Sequence, residues 1–112
     1  MPELCEGVSF DTIAREWRCK WSTDNDKASL VAAQKELAGI LEGLKTLDGV
    51  KRVQRCVCGG CLDFKVIVSL DSEKFGEWEK AEFAPEAEFL EALEAIEGIT
   101  TVETQTYTLM DM

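Results

Sequence analysis

The hydrophobic pattern of this chain switches between periods of two and of about 3.6, and the order of those switches constrains the fold more than any motif does. From Thr12 to Ser22 the side chains alternate. Ile13, Arg15, Trp17, Cys19 and Trp21 share one face, and Thr12, Ala14, Glu16, Arg18 and Lys20 the other. A period of two with aromatics predicts a strand. Ser22 to Asp26 supplies turn and cap chemistry. Leu30, Leu37, Ile40, Leu41, Leu44 and Leu47 then recur at helical spacing, predicting a helix over residues 27–46 that Leu47-Asp48-Gly49 stops.

Val50 to Cys58 and Cys61 to Leu70 read as two further strands. Gly59-Gly60 between them is expected as a two-residue turn, since glycine tolerates the positive φ angles of tight hairpins. Asp71-Ser72 caps a short helical stretch holding Phe75 and Trp78. Pro85 opens a second helix with the apolar stripe Phe89, Leu90, Leu93 and Ile96, and Gly98 ends it. A Thr-rich alternation from Thr101 to Met110 predicts the last strand. Residues 1–9 read as a loose tail. The order is β-α-β-β-α-β, so the expectation is one α+β domain over residues 1–112. It is a ferredoxin-like, four-stranded antiparallel sheet with its helices on one face. The other face stays bare and carries Trp, Cys, Arg or Tyr according to register. A bare sheet bearing aromatics needs cover, which predicts a homodimer packed sheet to sheet.

Charge narrows the partners. With 22 acidic and 12 basic residues the formal net charge is -10, which repels nucleic-acid phosphate and anionic membrane. No segment approaches the ~20 apolar residues of a membrane span. The start, Met-Pro-Glu-Leu-Cys-Glu, has no basic and apolar leader pattern. Together with an odd count of 5 cysteines this sets the expectation of a cytoplasmic protein with free thiols. There is no histidine, which removes the usual acid–base group near neutral pH and the Cys-His and Ser-His-Asp arrangements. Catalysis would fall to carboxylates, Cys, Lys, Tyr or bound water.

Three groups of residues carry candidate chemistry. Cys56, Cys58 and Cys61 crowd the predicted hairpin tip. Converging thiolates suit Cu(I), or Zn(II) with a fourth ligand from Asp63 or water. Cys58 and Cys61 facing across the turn also permit a disulfide or a thiol-redox role, and the plain alternative is packing as small apolar side chains. The four arginines, Arg15, Arg18, Arg52 and Arg55, cluster on the first and second predicted strands beside Lys20 and Lys51. They offer carboxylate-binding forks, or else pair with Glu16 and Glu103. Arg15, Trp17, Phe64, Trp78 and Tyr107 are the candidate ligand-binding residues of a sheet–helix cavity for a small aromatic or anionic molecule. The alternative for these aromatics is core packing. Glu86, Glu88, Glu91, Glu94 and Glu97 read as a solvated helix face.

The element order, with Arg15-Glu16-Trp17-Arg18-Cys19-Lys20-Trp21, Leu47-Asp48-Gly49-Val50, Asp63 to Val68 and Ala84-Pro85-Glu86-Ala87-Glu88-Phe89, resembles the dimeric α+β barrel superfamily over residues 13–109. The resemblance is nearest to the stress-responsive A/B barrel group, with antibiotic-biosynthesis monooxygenases further off. It implies the fold and the dimer. The group's His-Pro-x-His reads here Ala84-Pro85-Glu86-Ala87, and its other histidine positions fall on Arg15 and near Phe64. Its histidine-based cyclase chemistry is therefore not implied. The expected function is small-ligand binding by a non-catalytic or cofactor-independent relative. The alternatives are a cysteine-based metal or redox protein and a sheet-mediated interaction module.

Overall fold

The computed structural model describes residues 1–112. Its elements are β1 (Glu3–Cys5), β2 (Val8–Ser9), β3 (Thr12–Lys20), α1 (Asp24–Lys45), β4 (Val50–Val57), β5 (Asp63–Asp71), α2 (Phe75–Lys80), α3 (Glu86–Glu94) and β6 (Thr100–Leu109). The four long strands form one antiparallel sheet in the order β4-β5-β3-β6. The α+β, ferredoxin-like expectation holds, with the short helical stretch resolved as α2.

Register settles which face is which. Ile13, Arg15, Trp17 and Cys19 lie opposite Leu70, Val68, Val66 and Phe64, and Arg55 and Val57 lie opposite Val66 and Phe64. This face meets the helices and carries the core. Trp17, Cys19, Phe64, Val66, Val68 and Leu70 are buried against Ala33, Leu37 and Leu44 of α1, Phe75 and Trp78 of α2, and Phe89 and Leu93 of α3. The other face carries Glu16 and Arg18 of β3, Lys65 and Ile67 of β5, Arg52, Gln54 and Cys56 of β4, and Gln105 and Tyr107 of β6. The tryptophans expected there as one possibility point inward; Tyr107 is the aromatic that remains outside.

Local sequence explains the joints. Asn25, Asp26 and Lys27 hold φ angles of 55°, 56° and 63°, so regular right-handed helix begins after them, near the expected start. Ser29 ties α1 to the end of β3: its Oγ accepts from the Ser22 N–H (2.9 Å) and donates to the Ser22 carbonyl (3.3 Å). Gly49 turns the chain into β4 at φ +83, where a Cβ would collide with Lys74.

Two expectations are corrected. Residues 1–9 are not a loose tail: β1 and β2 pair as an antiparallel ribbon, and the Phe10 N–H donates to the Pro2 carbonyl (3.0 Å). Gly7, at φ 81, makes that ribbon's turn possible. The β4–β5 link is likewise no two-residue turn. The last paired residues are Val57 and Phe64, and Leu62 takes φ 63 and packs against the core. Leu62 thereby leaves the strand alternation, and the link lengthens to Cys58–Leu62.

Candidate functional site

The two flanks of the sheet–helix layer are built differently. Towards α3, Arg15 leans inward from β3. Its Nε donates to Glu86 Oε1 (2.8 Å), Nη1 to Thr106 Oγ1 (2.7 Å) and Nη2 to Thr104 Oγ1 (3.0 Å). Its guanidinium lies 4.2 Å from the Phe83 ring centroid, a cation–π geometry. The Trp17 indole N–H donates to the same Glu86 oxygen (2.6 Å), and the Trp78 N–H to the Ala84 carbonyl (2.9 Å). Trp17 packs edge-on to Trp78 at 6.1 Å and tilted to Phe89 at 5.3 Å. Every polar group that enters this region has a partner, and the aromatics fill the space between. Glu86 belongs to this block and not to the solvated face expected for it; Glu88, Glu91, Glu94 and Glu97 are exposed as expected. Pro85 places Glu86 in the first turn of α3, where a carboxylate also suits the helix's positive end.

Towards the sheet edge the layer is open. A cleft of about 490 Å³ lies between α1 and β4, lined by Leu30, Val31, Gln34, Lys35, Arg55, Val57 and Phe64. Leu30, Val31, Val57 and Phe64 make its walls apolar. Val31 and Val57 are exposed, at 52% and 41%, unusually so for side chains of this type that face an element of their own chain. Arg55 Nη1 donates to Gln34 Oε1 (2.6 Å), which aims the guanidinium across the cleft. Arg55 makes no ion pair, although carboxylates outnumber cations; Arg15 and Arg18 both make theirs. The cleft thus offers an apolar slot with an uncompensated fork and Lys35 at its rim. No carboxylate, thiol or phenol lines it; its charged groups are Lys35 and Arg55.

The bare face holds a third constellation. Glu16, only 5% exposed, accepts from the Tyr107 hydroxyl (2.9 Å) at Oε1 and from Arg18 Nη1 (2.9 Å) at Oε2. Arg18 also reaches Gln105 Oε1 (3.0 Å) and Glu103 Oε1 (3.3 Å). Burial, then the Glu16 hydrogen bond and charge, push the Tyr107 phenol up to about 12. The pairing of Arg18 with Glu16 and Glu103 is the expected alternative to an anion pocket.

The candidate residues therefore separate. Arg15, Trp17 and Trp78 come together, but with each other and Glu86. Phe64 lines the cleft, and Tyr107 sits on the opposite face. The three tip cysteines do not converge. Cys58 and Cys61 pair with each other as a disulfide, Cα atoms 5.6 Å apart, while Cys56 is an exposed residue opposite Lys65 on the bare face. No group of three Cys, Asp or Glu side chains is placed to hold a metal ion, so the Cu(I) or Zn(II) site at Cys56, Cys58 and Cys61 is unsupported. The physical reason is strand alternation, which keeps Cys56 on one face while the chain leaves the sheet at Cys58. Cys19 is core filler: burial, then the charge of Asp63, raise its thiol to about 11, well outside reactive range. Arg55 stood among the four arginines offered as carboxylate-binding forks, whereas Gln34 and Lys35 escaped sequence reasoning. The available signal was Val31, an apolar residue off the α1 stripe, beside Val57 in a strand.

No protein-family model and no curated protein matches the sequence. Solved structures do. A candidate antibiotic biosynthesis monooxygenase from Deinococcus radiodurans superposes with TM-score 0.67 at 13% identity, covering 89% of this chain and 94% of its own. A monooxygenase from Streptomyces coelicolor in complex with nanaomycin D gives 0.65 at 13%, with 92% and 90% covered. A cofactor-independent oxygenase from Streptomyces nogalater gives 0.62 at 15%, with 91% and 96% covered. At this identity the likeness is one of fold, and the chain shares the ferredoxin-like α+β fold of antibiotic-biosynthesis-monooxygenase-like proteins.

Proposed function

We propose that this protein binds a small, largely apolar molecule bearing an anionic group in the cleft between α1 and β4. The observation that carries the reading is the unpaired Arg55 fork set over apolar walls in a chain where carboxylates are in excess. Such a cation is available to a ligand, and the cleft volume falls in the range of small-molecule sites, roughly 300–1,000 Å³. The Streptomyces coelicolor structure of the same fold holds nanaomycin D, which supports a small molecule as the class of ligand. Phe64 is the one residue of the sequence-derived set that borders this cleft, as a fully buried ring beneath its floor. Arg15, Trp17 and Trp78 support the layer behind it. The charged groups of the lining are Lys35 and Arg55, which in this reading bind and orient the ligand.

The test uses 2-naphthoate and nanaomycin D as probes, followed by the emission of the tryptophans and by calorimetry. Saturable binding is expected for at least one of them. Arg55→Ala should weaken 2-naphthoate about tenfold, a loss of ~1.4 kcal/mol, and Leu30→Trp, which fills the slot, should abolish binding. Binding unaffected by both substitutions would overturn the site.

The second part of the reading is assembly. The helix-free face of the sheet carries Ile67, Tyr107 and the exposed Leu109, with half-buried polar groups around them. A second copy packed face to face would cover it, as the symmetric partner of a C2 dimer. Light scattering at micromolar concentration should read twice the chain mass of 12.5 kDa, and a monomer at that concentration overturns this part.

A further inference from the structure

The Cys58–Leu62 loop carries a disulfide pair that the cleft does not use. Its backbone is anchored independently of the sulfur–sulfur bond. The Cys58 N–H donates to the Asp63 carbonyl (3.0 Å), the Trp21 N–H to the Leu62 carbonyl (3.0 Å), and Lys20 Nζ to the Cys61 carbonyl (3.0 Å). None of these bonds involves a sulfur, so they are expected to hold the two Cα atoms, 5.6 Å apart, within the range a disulfide bridges when the pair is reduced. Cys61 is exposed and Cys58 half-buried, and the two residues between them, Gly59 and Gly60, are exposed and carry no side chain.

The two sulfurs differ electrostatically. The Cys61 N–H points at Cys58 Sγ (3.1 Å), which favours negative charge there. Cys61 Sγ lies 3.3 Å from Asp63 Oδ2, and Lys20, hydrogen-bonded and ion-paired to Asp63, holds that carboxyl below its ordinary range, so it stays charged. A fixed negative charge disfavours a second one on Cys61.

We propose that Cys58 and Cys61 form a thiol–disulfide exchange site for disulfide-bearing molecules, with Cys58 the attacking sulfur and Cys61 the resolving one. In the reduced protein the Cys58 thiolate attacks one sulfur of an external disulfide. A Cys58–sulfur bond forms, the external S–S bond breaks, and one external thiolate leaves. Cys61, losing its proton to water past Asp63, attacks Cys58 Sγ and expels the second external thiolate. The protein dithiol loses two electrons and two protons, and the external disulfide gains them as two thiols. The reverse sequence lets an external dithiol restore the reduced form.

Glutathione disulfide is the probe, with adducts located by peptide mass mapping and folding of each variant checked by circular dichroism. The wild-type chain should lose two of its five thiols to an internal bond and hold no lasting adduct at the loop. Cys61→Ser should trap glutathione on Cys58. Cys58→Ser should take it up on Cys61 about tenfold more slowly, because the neighbouring carboxylate suppresses the thiolate. Asp63→Asn in the Cys58→Ser chain should recover much of that rate. Equal rates at both sulfurs and at the exposed Cys5 and Cys56, or adducts that never resolve in the wild type, would overturn the proposal.

Discussion

One helix-facing sheet surface has two opposite ends here. Beside α3, Trp17, Trp78, Phe83 and Phe89 interlock, and Glu86 satisfies both Arg15 and the Trp17 indole. Beside the edge strand β4, Val31 and Val57 stand half open and Arg55 has only the neutral Gln34. The contrast is one of partner supply. Where large rings meet a paired carboxylate, the layer closes and contributes stability. Where short aliphatics meet an unpaired cation, it leaves room and charge for something else. Stability is thereby assigned to one flank and the proposed binding to the other, and substitutions should separate them.

The largest effect is expected from Trp17→Ala. It removes a fully buried ring and its contacts to two further rings, and should cost about 3–5 kcal/mol in urea unfolding. That is a large share of the ~5–15 kcal/mol typical of a domain. A loss under ~1 kcal/mol would show that the α3 flank is not closed in solution. Glu86→Ala comes next. It leaves the part-buried Arg15 and the Trp17 N–H without their shared acceptor, with an expected loss of about 2 kcal/mol. Glu86→Gln keeps an acceptor and should recover part of it. Neither Glu86 variant should change 2-naphthoate affinity beyond about twofold, since the carboxylate lies on the far flank. Arg55→Ala inverts the pattern: stability should stay within ~0.5 kcal/mol while the probe weakens.

These expectations also mark what was legible in the amino acids. Alternation over Thr12–Trp21 already placed Arg15 and Trp17 on one face, because a strand's period is set by backbone geometry alone. The same logic placed Phe64, Val66, Val68 and Leu70. The role of Glu86 was not legible. It is chemically identical to four other glutamates of its segment, and what distinguishes it is an arginine 71 positions away. Nor was the cleft, since a void is set by how far α1 stands from β4, and no local pattern records that distance. The hairpin tip was half legible. Cys58 and Cys61 do meet, but the positive φ at Leu62, won by burying its side chain, lengthened the link and parted them from Cys56.

The smallest effect tests the bare face, the surface that is neither packed shut nor hollow. Tyr107 is the chain's one tyrosine, so its ionisation can be read from ultraviolet absorbance without assignment. Its midpoint should lie near 12, against an ordinary 10.0, because burial and the Glu16 hydrogen bond both oppose the phenolate. A group whose value is raised by folding contributes stability while it keeps its proton. That contribution is complete below pH 10 and fades as pH rises towards about 12. Tyr107→Phe should therefore flatten the stability profile over that interval and leave its neutral limb nearly parallel to wild type. A midpoint near 10 would mean that Glu16 and Tyr107 part in solution, and the face would then be a solvated sheet with no preformed network for a second copy to cover.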